Sequence, residues 1–264
     1  MKSTNTEETQ TAARNDSLPG NAEATTGGIT VLIPAWNERE CIVAVLDEFE
    51  TTPSLAGVKL LVVDDGSTDG TGPLLDEYAR SHPRMKALHV PHGGKDRALW
   101  AGFMAVTTEW TGMMDGDGQY DPKDFPELLH EASIRKADAV WGIRSRRHDH
   151  ALRFISSSIG RITKRLMLGS RKVRDTGCGI WIARSRYLQP IPATCADPAG
   201  QVHCHIPELI TAQGGVVEET DIVHRSRHAG QAKFGALNRI VPGLKSLSQA
   251  AAARRLLRRG PAAT

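Results

Sequence analysis

No stretch of this chain is apolar for long enough to cross a membrane; none approaches the roughly 18 residues that a spanning helix needs. Paired cysteines are missing too. Cys41, Cys178, Cys195 and Cys204 show no CxxC spacing, which reads as reduced thiols in a cytoplasmic protein rather than a disulfide frame. His203-Cys204-His205 has metal-ligand residue types, but no second ligand pair follows at finger spacing. It reads as local alternation of polar and apolar positions. The GxGxxG of dinucleotide folds is absent. His92-Gly93-Gly94-Lys95 could cradle a phosphate, yet it lacks the P-loop spacing and the Ser/Thr after its lysine. Nicotinamide and kinase-type readings fall away.

Aromatics are scarce, at 5% of residues. The run 142–174 holds ten Lys/Arg against one acid, Asp149, and its single aromatic is Phe154. Single-strand nucleic-acid grooves interleave bases with aromatic platforms, so a basic nucleic-acid-binding module is disfavoured. Acids vanish altogether from 222 to 264, where nine Lys/Arg remain. The net charge of +3 therefore hides a strongly basic second half. That half suits an anionic partner such as a nucleotide diphosphate, a lipid phosphate or a membrane surface. Residues 1–28 lack an apolar segment and read as a disordered N-terminal tail rather than a signal peptide.

What is present is an alternation. Short strand-like runs at 29–34, 58–63 and 85–90, the first of them β-branched, are separated by helix-periodic segments. Asn37 is expected to cap the first helix, and further helices are expected over 72–81 and 97–106. This βαβ pattern predicts an α/β chain with a mostly parallel central sheet and helices on both faces. Strands follow at 110–114, 137–142, 180–183 and 216–224, with helices at 122–136, 153–168 and 205–213. Residues 187–202 read as loop, and the last region as helix with a basic end. In such a sheet, ligands bind beyond the carboxyl ends of the strands. Carboxylates collect there, at Asp64-Asp65 and again at Asp115-Gly116-Asp117. Two hard carboxylates separated by one glycine suit a divalent cation gripping a diphosphate. An Asp-Gly turn is the alternative reading.

Five motifs in order then resemble a known family. They are Ile33-Pro34-Ala35-Trp36-Asn37-Glu38, Val63-Asp64-Asp65-Gly66-Ser67-Thr68-Asp69-Gly70-Thr71, Met114-Asp115-Gly116-Asp117-Gly118-Gln119, Asp175-Thr176-Gly177-Cys178-Gly179, and His224-Arg225-Ser226-Arg227 with Gly230 and Lys233. Together they resemble inverting family 2 glycosyltransferases with a GT-A fold, the Rossmann-like fold of nucleotide-diphospho-sugar transferases. The last two resemble the polyprenyl-phosphate branch, which includes dolichol-phosphate mannose synthase and undecaprenyl-phosphate enzymes. The match runs from about 29 to 247, leaving 248–264 as a basic tail that reads either as a membrane-surface helix or as a solvated, frayed end.

The resemblance implies roles. Pro34, Trp36 and Glu38 would line the base and ribose pocket, with Val63 and Asp65 beside the nucleotide. Asp115, Asp117 and Gln119 would bind Mg²⁺ or Mn²⁺. Arg144, Arg153 and Ser157 would hold the acceptor phosphate. Arg227 and Lys233 would close over the diphosphate. Asp175 would orient a metal ligand or the acceptor, or serve as a turn residue. Asp117, Arg144, Arg153 and Asp175 make up the expected catalytic set. The expected partners are a nucleotide-diphospho-sugar, a polyprenyl phosphate and the inner face of the cell membrane. The sequence departs from the family pattern at Trp36, which stands for Tyr, at Lys95-Asp96-Arg97, which stands for Lys-Gly, and at Ala232, which stands for Ser. A family 2 transferase acting on a glycan hydroxyl is the alternative; it needs a general base.

Overall fold

The computed structural model describes residues 28–144, 168, 173–195, 201–225 and 240–258. Strand β1 (Ile29–Ala35) is followed by α1 (Ile42–Thr51), β2 (Lys59–Asp64), α2 (Thr71–Ser81), β3 (Met85–His89), α3 (Lys95–Ala105), β4 (Trp110–Met114) and α4 (Asp124–Ile134). Then come β5 (Ala139–Arg144), β6 (Ile180–Arg184), the short helices α5 (Ser185–Leu188) and α6 (Ile191–Thr194), α7 (Ile206–Ala212), β7 (Val217–Ile222) and α8 (Ile240–Arg258). The strands form one seven-stranded sheet in the order β3-β2-β1-β4-β6-β5-β7. All neighbours run parallel except β6, which is antiparallel to both β4 and β5.

Alternation along β1 sends side chains to opposite faces of the sheet, and each face meets its own helices. On one face Leu32 packs so closely on α3 that a Cβ at Gly102 would fall 2.3 Å from it. On the other face a Cβ at Gly112 would meet both Val31 and the Phe125 ring of α4, and Phe125 lies 5.9 Å from Phe49 of α1 between ring centroids. β1, fully buried over most of its length, is the hydrophobic spine. Its near-continuous apolar run is what a strand covered on both faces requires. Trp141 of β5 and Trp181 of β6 stack at 4.6 Å and fill the core beside the reversed strand.

Two local expectations need correction. Asn37 caps no helix, since α1 begins at Ile42 after Cys41. Asn37 instead adopts a left-handed backbone with φ 54°. Its N–H donates to Ser67 Oγ (2.9 Å), and its Oδ1 accepts from the Thr68 N–H (2.8 Å). It thus ties the loop after β1 to the loop after β2, two edges that both end at the site. The stretch 187–202 is likewise not all loop, because α5 and α6 fall within or against it. Each is a single turn, too short for a period to show in sequence. α8 runs unbroken through residue 248 and buries Leu247, Ala250 and Ala253. The helix expected over 153–168 lies outside the described residues except for Leu168.

Candidate active site

The carboxyl ends of β1, β2 and β4 open onto one edge of the sheet. β6 runs the other way, so its start, Ile180, pairs with the end of β4 at Met114. The loop 173–179 therefore reaches the same edge as Asp115. These two segments are locked together: the Asp115 N–H donates to Gly179 O (2.9 Å), and the Gly179 N–H donates to the Tyr120 hydroxyl (2.8 Å). Tyr120 is buried, which pushes its hydroxyl pKa well up and keeps it a neutral partner. A Cβ at position 179 would sit 2.2 Å from Asp115 Oδ2, so only glycine lets this carboxylate stand where it does.

On the β2 side, Asp65 is 3% exposed. Its two oxygens accept the N–H groups of Gly93 and Gly94, each at 2.8 Å, and one also faces His92 Nδ1 at 2.9 Å. Asp65 therefore shapes the glycine turn that leads into α3. His92, held by this contact, stacks on Trp36 at 4.7 Å between ring centroids. Trp36 is otherwise the exposed aromatic of the site, at 38%. Pro34 and Val63 are register partners just below. The Glu38 N–H donates to Thr71 Oγ1 (3.1 Å), and Glu38 Oε2 accepts from Cys41 Sγ (3.2 Å). Beneath them Asp64 accepts from the Ser67 N–H and pairs with His89, both at 3.0 Å. Burial would raise the Asp64 pKa, but these hydrogen bonds outweigh it and hold the carboxyl below its ordinary range.

At the β4 end, Asp115 forms an ion pair with Lys95 of α3. Burial opposes the ammonium charge, but Asp115, with the field of Asp117 added, holds the Lys95 pKa above its usual value. Asp117 Oδ1 accepts the Gln119 N–H (3.2 Å) in the turn that follows. That turn is fastened at Gln119 O by the Arg225 N–H (2.8 Å). Arg225 in turn pairs with Glu48 and Asp121. On the far side, Arg144 and Asp175 meet fork to fork, with Nε to Oδ2 and Nη2 to Oδ1 both at 2.7 Å.

The structure thus gathers Pro34, Trp36, Glu38, Val63, Asp65, Asp115, Asp117, Gln119, Arg144 and Asp175 along one edge. Arg153, Ser157, Arg227 and Lys233 lie outside the described residues. Three contributors went unread in the sequence: Lys95 as the partner of Asp115, Tyr120 as the clamp on Gly179, and Asp96, taken up below. The His92-Gly93-Gly94-Lys95 turn was the available signal for Lys95. No group of three or more His, Cys, Asp or Glu forms a metal cage among the described residues. Two carboxylates without a cage still fit Mg²⁺ or Mn²⁺, which commonly binds through one or two carboxylates together with substrate phosphates.

The profile of "Glycosyl transferase family 2" matches residues 30–190. The chain belongs to this family. Among its relatives, the dodecaprenyl-phosphate galacturonate synthase of Rhizobium johnstonii is 27% identical over 78% of this chain and 62% of its own. The undecaprenyl-phosphate 4-deoxy-4-formamido-L-arabinose transferase of Pectobacterium carotovorum is 27% identical over 80% of this chain and 64% of its own. The chain thus spans a little under two thirds of the length of either. Glucosyl-3-phosphoglycerate synthase of Mycobacterium tuberculosis superposes with a TM-score of 0.60 at 21% identity, covering 90% of this chain and 86% of the other. That enzyme has also been crystallised with Mn²⁺ and UDP-glucose. The GT-A fold expected from the motifs is the fold of this family 2 chain.

Proposed function

We propose that this family 2 chain transfers a sugar, with inversion, from a nucleotide diphosphate to a polyprenyl phosphate at the cytoplasmic face of the membrane. The observation that carries the reading is the lock between Asp115 and the 173–179 loop. It sets a donor carboxylate and the Arg144–Asp175 fork on one sheet edge. The two relatives named for polyprenyl phosphates support the acceptor class.

Trp36 offers a flat apolar face to the base, with Pro34 and Val63 below it, and Glu38 lies toward the ribose. Asp115, Asp117 and Gln119 would hold Mg²⁺ or Mn²⁺. Such an ion acts as a Lewis acid on a departing diphosphate. Lys95 adds a fixed ammonium beside these carboxylates, where charge grows as the anomeric bond breaks. Arg227 and Lys233 would add cations on the same group. The acceptor phosphate is already anionic at neutral pH, so the chain need only hold it in line. Arg144, oriented by Asp175, presents a planar guanidinium for that task, with Arg153 and Ser157 as its companions. Binding at the membrane draws support from α8, whose Lys245, Arg255 and Arg258 are exposed and suit an anionic leaflet. No helix among the described residues is long and apolar enough to cross a membrane.

The test is to incubate purified protein with Mn²⁺, undecaprenyl phosphate and a panel of UDP- and GDP-sugars. The expected result is a lipid-linked sugar of inverted anomeric configuration, lost on adding EDTA. Failure to form one with any donor, or transfer to a glycan hydroxyl instead, overturns the acceptor assignment.

A further inference from the structure

Lys95 is flanked along the chain by two points anchored on buried carboxylates. Upstream, Asp65 holds Gly93 and Gly94. Downstream, the very next residue is Asp96, 2% exposed. An acid in the first turn of a helix usually faces its own helix's open N–H groups. Asp96 turns away from them. Its Oδ2 accepts the Val202 N–H at 2.6 Å, its Oδ1 accepts the His203 N–H at 3.2 Å, and the same Oδ1 pairs with His203 Nδ1. The start of α3 is thereby fastened to the single helical turn Val202–His205, over a hundred residues on.

His203 and Lys95 line one small cavity with Leu99, Met113, Thr176, Gly177, Cys178 and Trp181. The imidazole is squeezed between charges. Burial and the Lys95 ammonium push its pKa down, while Cys204 and Asp96 push it up more strongly, to about 10. Removing the Asp96 charge would leave the imidazole facing the Lys95 ammonium without its own carboxylate partner.

We propose that Asp96 and His203 are a positioning pair: by fixing the first turn of α3, they hold the Lys95 ammonium on Asp115 at the donor's diphosphate end. The pair acts through Lys95 and touches no substrate. It accounts for the Asp96 that stands where the resemblance leads one to expect glycine, and for the place of His203 beside it. The inference rests on the donor site proposed above and not on the identity of the acceptor.

The test is a double-variant cycle. Asp96→Asn keeps the shape and removes the charge. It should lower kcat at least tenfold with donor KM within about threefold. Lys95→Gln should lose at least as much. Adding Asp96→Asn to Lys95→Gln should then change kcat less than twofold, because the route through Lys95 is already cut. A purely structural Asp96 would give losses that multiply. Multiplying losses, or unaltered kcat in Asp96→Asn, overturn the proposal. If Asp96→Asn does not fold, as read by circular dichroism, His203→Gln runs through the same cycle and decides. If no acceptor is used at all, the cycle is read on UDP and GDP affinity with Mn²⁺ by calorimetry: the free diphosphate carries the extra charge that the intact donor lacks, so each single variant should weaken it and the double variant little further. Failure of the acceptor assignment is thus separate from failure of the positioning pair.

Discussion

Arg144 and Asp175 share two parallel hydrogen bonds of 2.7 Å, and their side chains are only 14% and 10% exposed. A fork of this kind fixes a guanidinium plane that lysine cannot reproduce. Arg144→Lys is expected to lower transfer about tenfold or more, chiefly through KM for polyprenyl phosphate. Asp175→Ala leaves a largely buried cation without its partner, which costs about 3–5 kcal/mol. Urea unfolding of that variant checks the figure, and a loss under 1 kcal/mol would show that the pair is loose.

Asp117→Ala should cut transfer to roughly one percent or less, as loss of a metal-holding carboxylate predicts. The side chain belongs to a turn rather than the core, so the circular dichroism spectrum should match wild type. Wild-type rates in this variant would remove Asp117 from the site.

Gly179→Ala tests the closest approach in the site. The new methyl group would lie 2.2 Å from Asp115 Oδ2, so the carboxylate or the loop must shift. Transfer should fall by about a hundredfold, since displacements of about 1 Å in a catalytic group have that effect. The same change at Gly214, where nothing lies within 4 Å, should leave activity intact and cost stability only through its positive φ.

Much of this was legible in the sequence. Pro34, the Asp64-Asp65 pair and the Asp115-Gly116-Asp117 pair announce strand ends because apolar runs stop at them, and a parallel sheet puts all such ends on one edge. The Lys95–Asp115 pair was not legible, because two residues twenty apart on different elements share no local pattern. Neither was Asn37. Its residue type fits a helix cap, but a left-handed backbone and two tertiary hydrogen bonds took it elsewhere. Local preference gave way to contacts that only the assembled sheet provides.

A pH test follows from His89. Its hydrogen bonds to Asp76 and Asp64 raise its pKa above the ordinary 6.5. A raised value in the fold means the contribution is complete below 6.5 and fades as pH climbs through the raised value. His89→Gln should therefore lower Tm most below pH 6.5, and the gap from wild type should close in alkaline buffer. A gap that widens with pH would contradict the assignment.

Trp36→Ala removes the exposed ring that stacks on His92. Donor KM should rise about tenfold, in line with the ~1 kcal/mol or more of an aromatic stack and its buried area. Trp36→Tyr, which restores the residue common in the family, should recover most of that affinity.

The reversal of β6 divides the edge into two kinds of strand end. The half of the edge proposed for the donor is made of strand exits and is tied to the register of the sheet. The half proposed for the acceptor joins a strand exit, β5 ending at Arg144, to the entrance of β6, just ahead of which lies Asp175. A strand entered from outside tolerates a longer or shorter approach without shifting its neighbours. If the proposed function holds, such an architecture would behave like a fixed socket with an exchangeable adaptor: a new acceptor could be taken on by remodelling the approach to β6, while the strand exits that face the donor stayed as they are.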